Sequence, residues 1–216
     1  MNRISIVILC ISSAIIQATT QNITVKPISD CLYVQVKSFN DDQISQSILT
    51  KLSTYSTNKA SAIIIDLRNN NGGFIHEAIE FSALFIKNKQ LITLVDQNNE
   101  DLVITRPKNY PYIPTKKIII LMNHQTASSA EAAIFILNQH PNIIKVGNAT
   151  YGKKTIHSTK KSSPYQSFKM PSNNIKPTIK MNVPTNIPAL EVANTVLAQL
   201  NRINSEYPSD LKPERD

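Results

Sequence analysis

The chain has 216 residues, 41% of them apolar and 18% charged, and its 23 Lys and Arg against 15 Asp and Glu leave a net charge of +8. That mixture is too apolar for a disordered chain, and the length suits one good-sized domain or two small ones. Two cysteines exclude a disulfide scaffold or a multi-cysteine zinc module, and twelve prolines and four glycines without a period exclude collagen-like sequence.

The N-terminus has the order of a secretory signal. Arg3 supplies a positive charge, Ile4 to Ile16 runs almost wholly apolar, and Ala18-Thr19-Thr20 is a small, polar exit. Residues 1–20 are therefore expected to be a signal peptide that sends the protein to the periplasm, cell envelope or medium, with an uncleaved membrane anchor as the alternative. Leu9 before Cys10 is too large for a good lipidation box. Cys31 would then stand alone, as a buried apolar residue. The lysine pairs at 116–117, 153–154 and 160–161 have no aromatic residues interleaved, so they read as a solvated basic surface. Such a surface suits an acidic envelope or anionic peptides rather than nucleic acid.

The body, residues 21–205, alternates strands and helices. Leu32 to Phe39 predicts a strand, and Asn40-Asp41-Asp42 a cap for a helix carrying Ile44, Ile48, Leu49 and Leu52. Ala62 to Ile65 is a short buried strand that runs through Asp66-Leu67-Arg68 into a tight loop, Asn69-Asn70-Asn71-Gly72-Gly73. A helix over Glu77 to Lys87 follows. Next come a strand pair at Leu91–Val95 and Leu102–Thr105, a buried strand at Lys117–Met122, a helix at Ala127–Gln139 and a strand at Ile143–Val146. Short, proline-broken strands are expected over Thr155–Pro184 and a last helix over Leu190–Ile203, with a polar tail at 206–216. This order predicts one α/β domain.

Two strand-to-helix junctions bear chemistry. The Gly72-Gly73 turn can point backbone N–H groups at an anion, although a glycine pair there is also an ordinary steep turn. The second junction, Asn123-His124-Gln125-Thr126-Ala127-Ser128-Ser129-Ala130-Glu131, places a serine in the first turn of a helix, where free N–H groups are natural oxyanion donors. Thr126 or Ser128 with Glu131 is equally readable as a helix cap.

Three blocks resemble the tail-specific, or C-terminal processing, serine proteases of peptidase family S41. They are Asp66-Leu67-Arg68-Asn69-Asn70-Asn71-Gly72-Gly73, Thr126-Ala127-Ser128-Ser129-Ala130-Glu131 and Gly147-Asn148-Ala149-Thr150-Tyr151-Gly152-Lys153. The stretch from Asn123 to Glu131 also resembles the nisin resistance branch of that family. The resemblance implies an α/β fold with a crotonase/ClpP-like ββα core, a mixed sheet with flanking helices. It implies an exported endopeptidase that acts by a Ser–Lys mechanism on a peptide or protein, in C-terminal processing or antimicrobial-peptide cleavage. No His-Glu-x-x-His, paired cysteines or phosphate-binding glycine-rich loop occurs, so no metal and no cofactor are expected. The alternative is a peptide- or ligand-binding protein on the same fold that does not cut.

Carried onto this sequence, the family nucleophile matches Ser128 and the general-base lysine matches Lys153, 25 positions later. The Ser129 N–H and that of Gly72 or Gly73 match the oxyanion donors. A lysine takes a proton from serine only as the free amine, which burial favours. His157 stands where the family often has a glutamine supporting the lysine; it supports Lys153 or is an outward strand residue. The first strand lies too close to the signal for a PDZ domain to precede the core. His76 reads as a helix-surface residue, His124 as a cleft or strand-end residue, and His140 as a surface residue or one that complements a helix dipole.

Overall fold

The computed structural model describes residues 22–153, 165–170, 174–182 and 189–206. The expected signal segment, His157, Lys154 and the expected polar tail after its first residue, Glu206, lie outside them. Two sheets are present. The larger has six strands: β1 (Ile23–Ile28), β2 (Cys31–Val36), β3 (Ile63–Asp66), β6 (Ile118–Met122), β7 (Ile143–Gly147) and β9 (Ile179–Lys180), side by side in that order. β1 runs antiparallel to β2, and every later neighbour is parallel. Parallel neighbours require crossovers. Helices α1 (Ile44–Ser53), α2 (Ile75–Ala83) and α3 (Ser129–Leu137) lie between the successive parallel strands β2, β3, β6 and β7. A hairpin of β4 (Gln90–Asp96) and β5 (Asp101–Thr105) follows α2 and pairs through β4 with β8 (Tyr165–Phe168), forming the second, antiparallel sheet.

The strands of the large sheet read as apolar runs because both of its faces are covered. Side chains alternate between the faces. Val34, Ile63, Ile65, Ile118 and Ile120 join the core cluster that includes α1, α2 and α3. Tyr33, Ile64, Ile119 and Leu121 join a second cluster with Ala193, Val196 and Leu200 of α4 (Ala189–Glu206). Cys31 is buried, as expected.

The expected mixed sheet with flanking helices is present, with differences at particular elements. Strand β1, absent from the sequence expectation, pairs along the whole of β2 as an edge strand, where Pro27 has no ladder bond to lose on its open side. Strand β2 stops at Val36, and Phe39 makes only an isolated bridge to Gly73. Helix α1 takes Gln43 as its N-cap without a side-chain bond; the Asp41 carboxylate instead accepts the Gln43 N–H at 2.9 Å, one residue before the helix. Helix α2 begins at Ile75, two residues before the expected start. His140 is buried, not a surface residue, and its Nδ1 accepts the Asn142 N–H. His76 is exposed on α2, as expected, and meets the Asp42 carboxylate at 3.1 Å.

One buried carboxylate joins α1 to α2. Glu77 accepts the Ser45 N–H at 2.9 Å and the Ser45 hydroxyl at 2.8 Å. Burial raises its pKa above the ordinary carboxyl value, and the Ser45 hydrogen bonds only partly offset this. The folded chain therefore holds this proton to higher pH than the unfolded chain, and stability is lost as pH rises from the unfolded value through the folded one. Glu77→Gln keeps an acceptor for Ser45 without the buried charge. It should leave thermal stability at neutral pH equal or higher and flatten that part of the stability–pH curve. Glu77→Ala, which strands the Ser45 N–H while the Ser45 hydroxyl keeps the backbone carbonyl of residue 77, should cost about 1–3 kcal/mol in urea unfolding.

Candidate active site

The site forms at the carboxyl ends of the adjacent strands β3, β6 and β7, where open parallel sheets present their loops. Beneath it, Asp66 at the end of β3 is fully buried and accepts the Tyr33 hydroxyl at 2.6 Å, the Arg68 Nε–H at 2.9 Å and the Arg68 backbone N–H at 3.0 Å. A second guanidinium nitrogen of Arg68 lies 2.5 Å from the other carboxylate oxygen. Burial first, and then the Asp66 charge, push the Tyr33 phenol far above its ordinary range, so it stays a donor. This network fixes where the chain leaves β3.

The loop that follows is held by its asparagines. Asn70 is fully buried; its amide donates to the Val36 carbonyl at 2.9 Å, and its carbonyl oxygen accepts the Gly72 N–H at 2.8 Å. Asn69 and Asn123 bond each other, Thr126 Oγ1 donates to the Leu67 carbonyl, and the Ala127 N–H donates to the Asn70 carbonyl. The β3 and β6 loops are thus laced into one unit. Gly72, at φ +103°, passes so close to Ser128 that a Cβ would lie 2.9 Å from the serine Cβ and 3.0 Å from the Ser129 nitrogen. At Gly73, φ +142°, a Cβ would lie 2.3 Å from the Phe39 carbonyl carbon. Only glycine fits either place.

Ser128 is the N-cap of α3 and has φ 56° and ψ −125°, a backbone state that costs a non-glycine residue of order 1–3 kcal/mol. It is nine-tenths buried. Its N–H donates to Glu131 Oε2 at 3.0 Å, the glutamate half of a capping box. The sequence alone makes Glu131 a capping residue, and in the fold it does more. Fully buried, it also accepts the Lys153 N–H on Oε2 at 2.7 Å, and on Oε1 the Gly152 N–H at 2.8 Å and the Thr150 hydroxyl at 2.5 Å. One carboxylate thus holds the backbones of Ser128 and Lys153 on a single oxygen. The sequence signal was the position of Glu131 in the same block as Ser128; its reach to residues 150–153 required the fold.

The N–H groups expected as oxyanion donors are in different states. That of Gly72 is taken by Asn70, whereas no described hydrogen bond takes the Gly73 or the Ser129 N–H. The Ser129 hydroxyl is buried without a partner. Beside these groups opens a cavity of about 560 Å³ lined by Asn71, His124, Gln125, Ala127, Tyr151 and Lys153. His124 is an exposed cleft residue. Among the described residues no three His, Cys, Asp or Glu side chains converge as a metal site requires.

Glu131→Gln keeps the size but places an amide NH2 among four donors. It should lower stability by about 1–3 kcal/mol for each donor left without an acceptor. Hydrogen exchange should rise first at the amides of Ser128, Gly152 and Lys153. Unchanged exchange there would show that other bonds hold these backbones.

The chain is similar to known proteins of one family. A family model described as Peptidase family S41 matches residues 30–181. The carboxy-terminal processing protease CtpA of Bacillus subtilis is 29% identical over 127 residues, which are 59% of this chain and 27% of that protein. The chloroplastic carboxyl-terminal-processing peptidase 2 of Arabidopsis thaliana is 25% identical over 126 residues, 58% of this chain and 24% of that one. The chain spans about a quarter of the length of these curated relatives. Among solved structures, a photosystem II D1 C-terminal processing protease superposes with a TM-score of 0.63 at 18% identity, over 78% of this chain and 51% of that one, which shows a shared fold.

Proposed function

The chain belongs to peptidase family S41, and from that premise we propose that it is an exported serine endopeptidase that hydrolyses peptide bonds with Ser128 as nucleophile and Lys153 as general base. The observation that carries the proposal is the shared carboxylate: Glu131 binds the backbone N–H of both residues.

In the first half-reaction Ser128 Oγ attacks the scissile carbonyl carbon while its proton passes to the free amine of Lys153. The carbonyl oxygen becomes an oxyanion, taken by the N–H groups of Ser129 and Gly73. Of the two candidate glycines, Gly73 fills this role because the Gly72 N–H is already bonded to Asn70. The C–N bond then breaks, Lys153 returns the proton to the leaving amine, and an acyl-enzyme remains. Water adds to the acyl-enzyme with Lys153 again as base, releasing the acid and the Ser128 hydroxyl. Ser128 stands at the start of helix α3 with a positive φ, and such strained backbone is found at catalytic nucleophiles. His157 is proposed to support the lysine. Residues 1–20 are proposed to direct export, so N-terminal sequencing of protein from the envelope or medium should find a chain beginning near Gln21.

A fluorophosphonate probe should label the purified chain at Ser128, and Ser128→Ala should abolish both labelling and peptide hydrolysis while the circular dichroism spectrum is kept. Lys153→Arg should fall by about 10³-fold or more, because a guanidinium does not accept a proton. Ser129→Ala keeps its N–H and loses an unpaired buried hydroxyl, so it should hydrolyse within about tenfold of the parent and be no less stable. If Ser129→Ala were the more damaging variant, the nucleophile would be misassigned. A folded chain that resists the probe would favour the non-cutting alternative.

A further inference from the structure

The cavity beside Ser128 carries one feature that the proposed chemistry does not use. Tyr151 is 70% exposed, more than Leu102 and Val103, the other exposed large apolar side chains among the described residues. A lone exposed aromatic is ordinary. This one differs because its backbone is fixed on every side. The Tyr151 N–H donates to the Thr126 carbonyl at 2.9 Å, in the loop before Ser128. The residues that follow, Gly152 and Lys153, are bonded to Glu131. Before it, Thr150 is bonded to Glu131 by its hydroxyl and to Ile175 by its N–H at 3.1 Å, and the Ile175 N–H donates back to the Thr150 hydroxyl at 2.8 Å. The ring therefore extends from a rigid base at the wall of a cavity that also holds Lys153 and the neighbours of Ser128 and Gly72. A rigid aromatic with few rotatable bonds loses little entropy on contact, and it gains area and stacking energy.

The lining has a further property. None of its described residues is acidic. Glu131, the carboxylate nearest in the chain to this wall, is fully buried and saturated by four donors. A basic substrate side chain would find no counter-charge there, beside a lysine and on a chain of net charge +8.

Building on the endopeptidase reading, we propose that Tyr151 determines specificity: its ring stacks on an aromatic or branched aliphatic side chain of the substrate residue seated in this cavity, in preference to a small or a cationic one. Tyr151 is a substrate-contact residue here, and it takes no part in proton transfer.

The test is a positional library of fluorogenic peptides in which each residue flanking the cleaved bond is in turn Phe, Leu, Ala, Arg or Asp. Hydrolysis is measured for the full chain, Tyr151→Ala and Tyr151→Phe. Direct binding of the same peptides is measured by calorimetry on the Ser128→Ala chain with and without Tyr151→Ala, which reads selectivity without turnover. At one position the parent should prefer Phe or Leu over Ala and Arg. Tyr151→Ala should cut that preference roughly tenfold, mostly through KM, and Tyr151→Phe should keep it. A uniform fall on all peptides would show a merely structural ring, and an unchanged preference would show that the ring misses the substrate; either overturns the inference. Labelling at Ser128 with an unchanged preference sinks only the role of Tyr151. An unlabelled, inactive chain whose peptide binding keeps a Tyr151-dependent Phe preference sinks the peptidase reading and leaves the contact standing.

Discussion

The arrangement depends on a carboxylate that cannot be left alone. Placing the Glu131 charge fully inside the protein costs several kcal/mol unless donors surround it. Four do, and they come from two distant pieces of chain: the N–H of Ser128 at the start of α3, and the Thr150 hydroxyl with the Gly152 and Lys153 N–H groups after β7. Neither piece satisfies the charge by itself. The segment after β7 has no regular secondary structure, yet its backbone is fixed because the charge requires it there. The same requirement sets the segment carrying Tyr151 and Lys153 against the turn carrying Ser128.

Beneath this clamp, the strand ends do the coarse positioning. In the sheet register Ile65 stands beside Ile120 and Met122 beside Gly147, so the three loops leave the sheet as neighbours. Asp66, locked to Tyr33 and Arg68, fixes the exit from β3. Asn70 then turns the chain so that Gly72 runs against Ser128. The chain's four glycines, at 72, 73, 147 and 152, all have positive φ, and all lie in these loops or at the end of β7. Chain reversal without a side chain is needed around the site and is nowhere else supplied by glycine.

The parts of the fold carried by composition were legible. Buried runs such as Ile118 to Met122 can be little else than central strands, and the glycine-bearing loops and the three sequence blocks marked the neighbourhood of the site. Three kinds of feature were hidden. Strand β1 contains Lys26 and Pro27, and only its place at a sheet edge makes them tolerable. The run Asn69-Asn70-Asn71 shows three identical residues to a reader of sequence, but the fold gives them three tasks. Asn69 pairs with Asn123, Asn70 is buried and holds Gly72, and Asn71 faces the cavity. The long-range partners of Glu131 lie 19 to 22 positions away, and no local periodicity encodes them.

A helix cap and the proposed catalytic turn are compatible readings of the Ser128–Glu131 spacing, because one carboxylate has room for both sets of bonds. A cap requires an acceptor for one N–H at the helix start, and the Ser128 N–H occupies one lone pair of Glu131 Oε2. A carboxylate has about four such sites, and the other three donors fill the remainder. Capping therefore anchors the glutamate to the helix start, and the rest of the same group aligns the lysine segment. Because the glutamate accepts the Ser128 N–H, the first N–H left open at the helix start is that of Ser129, next to Gly72 and Gly73. Glu131 thus also determines which backbone donors remain open beside Gly72 and Gly73, the donors that the proposed mechanism assigns to the oxyanion.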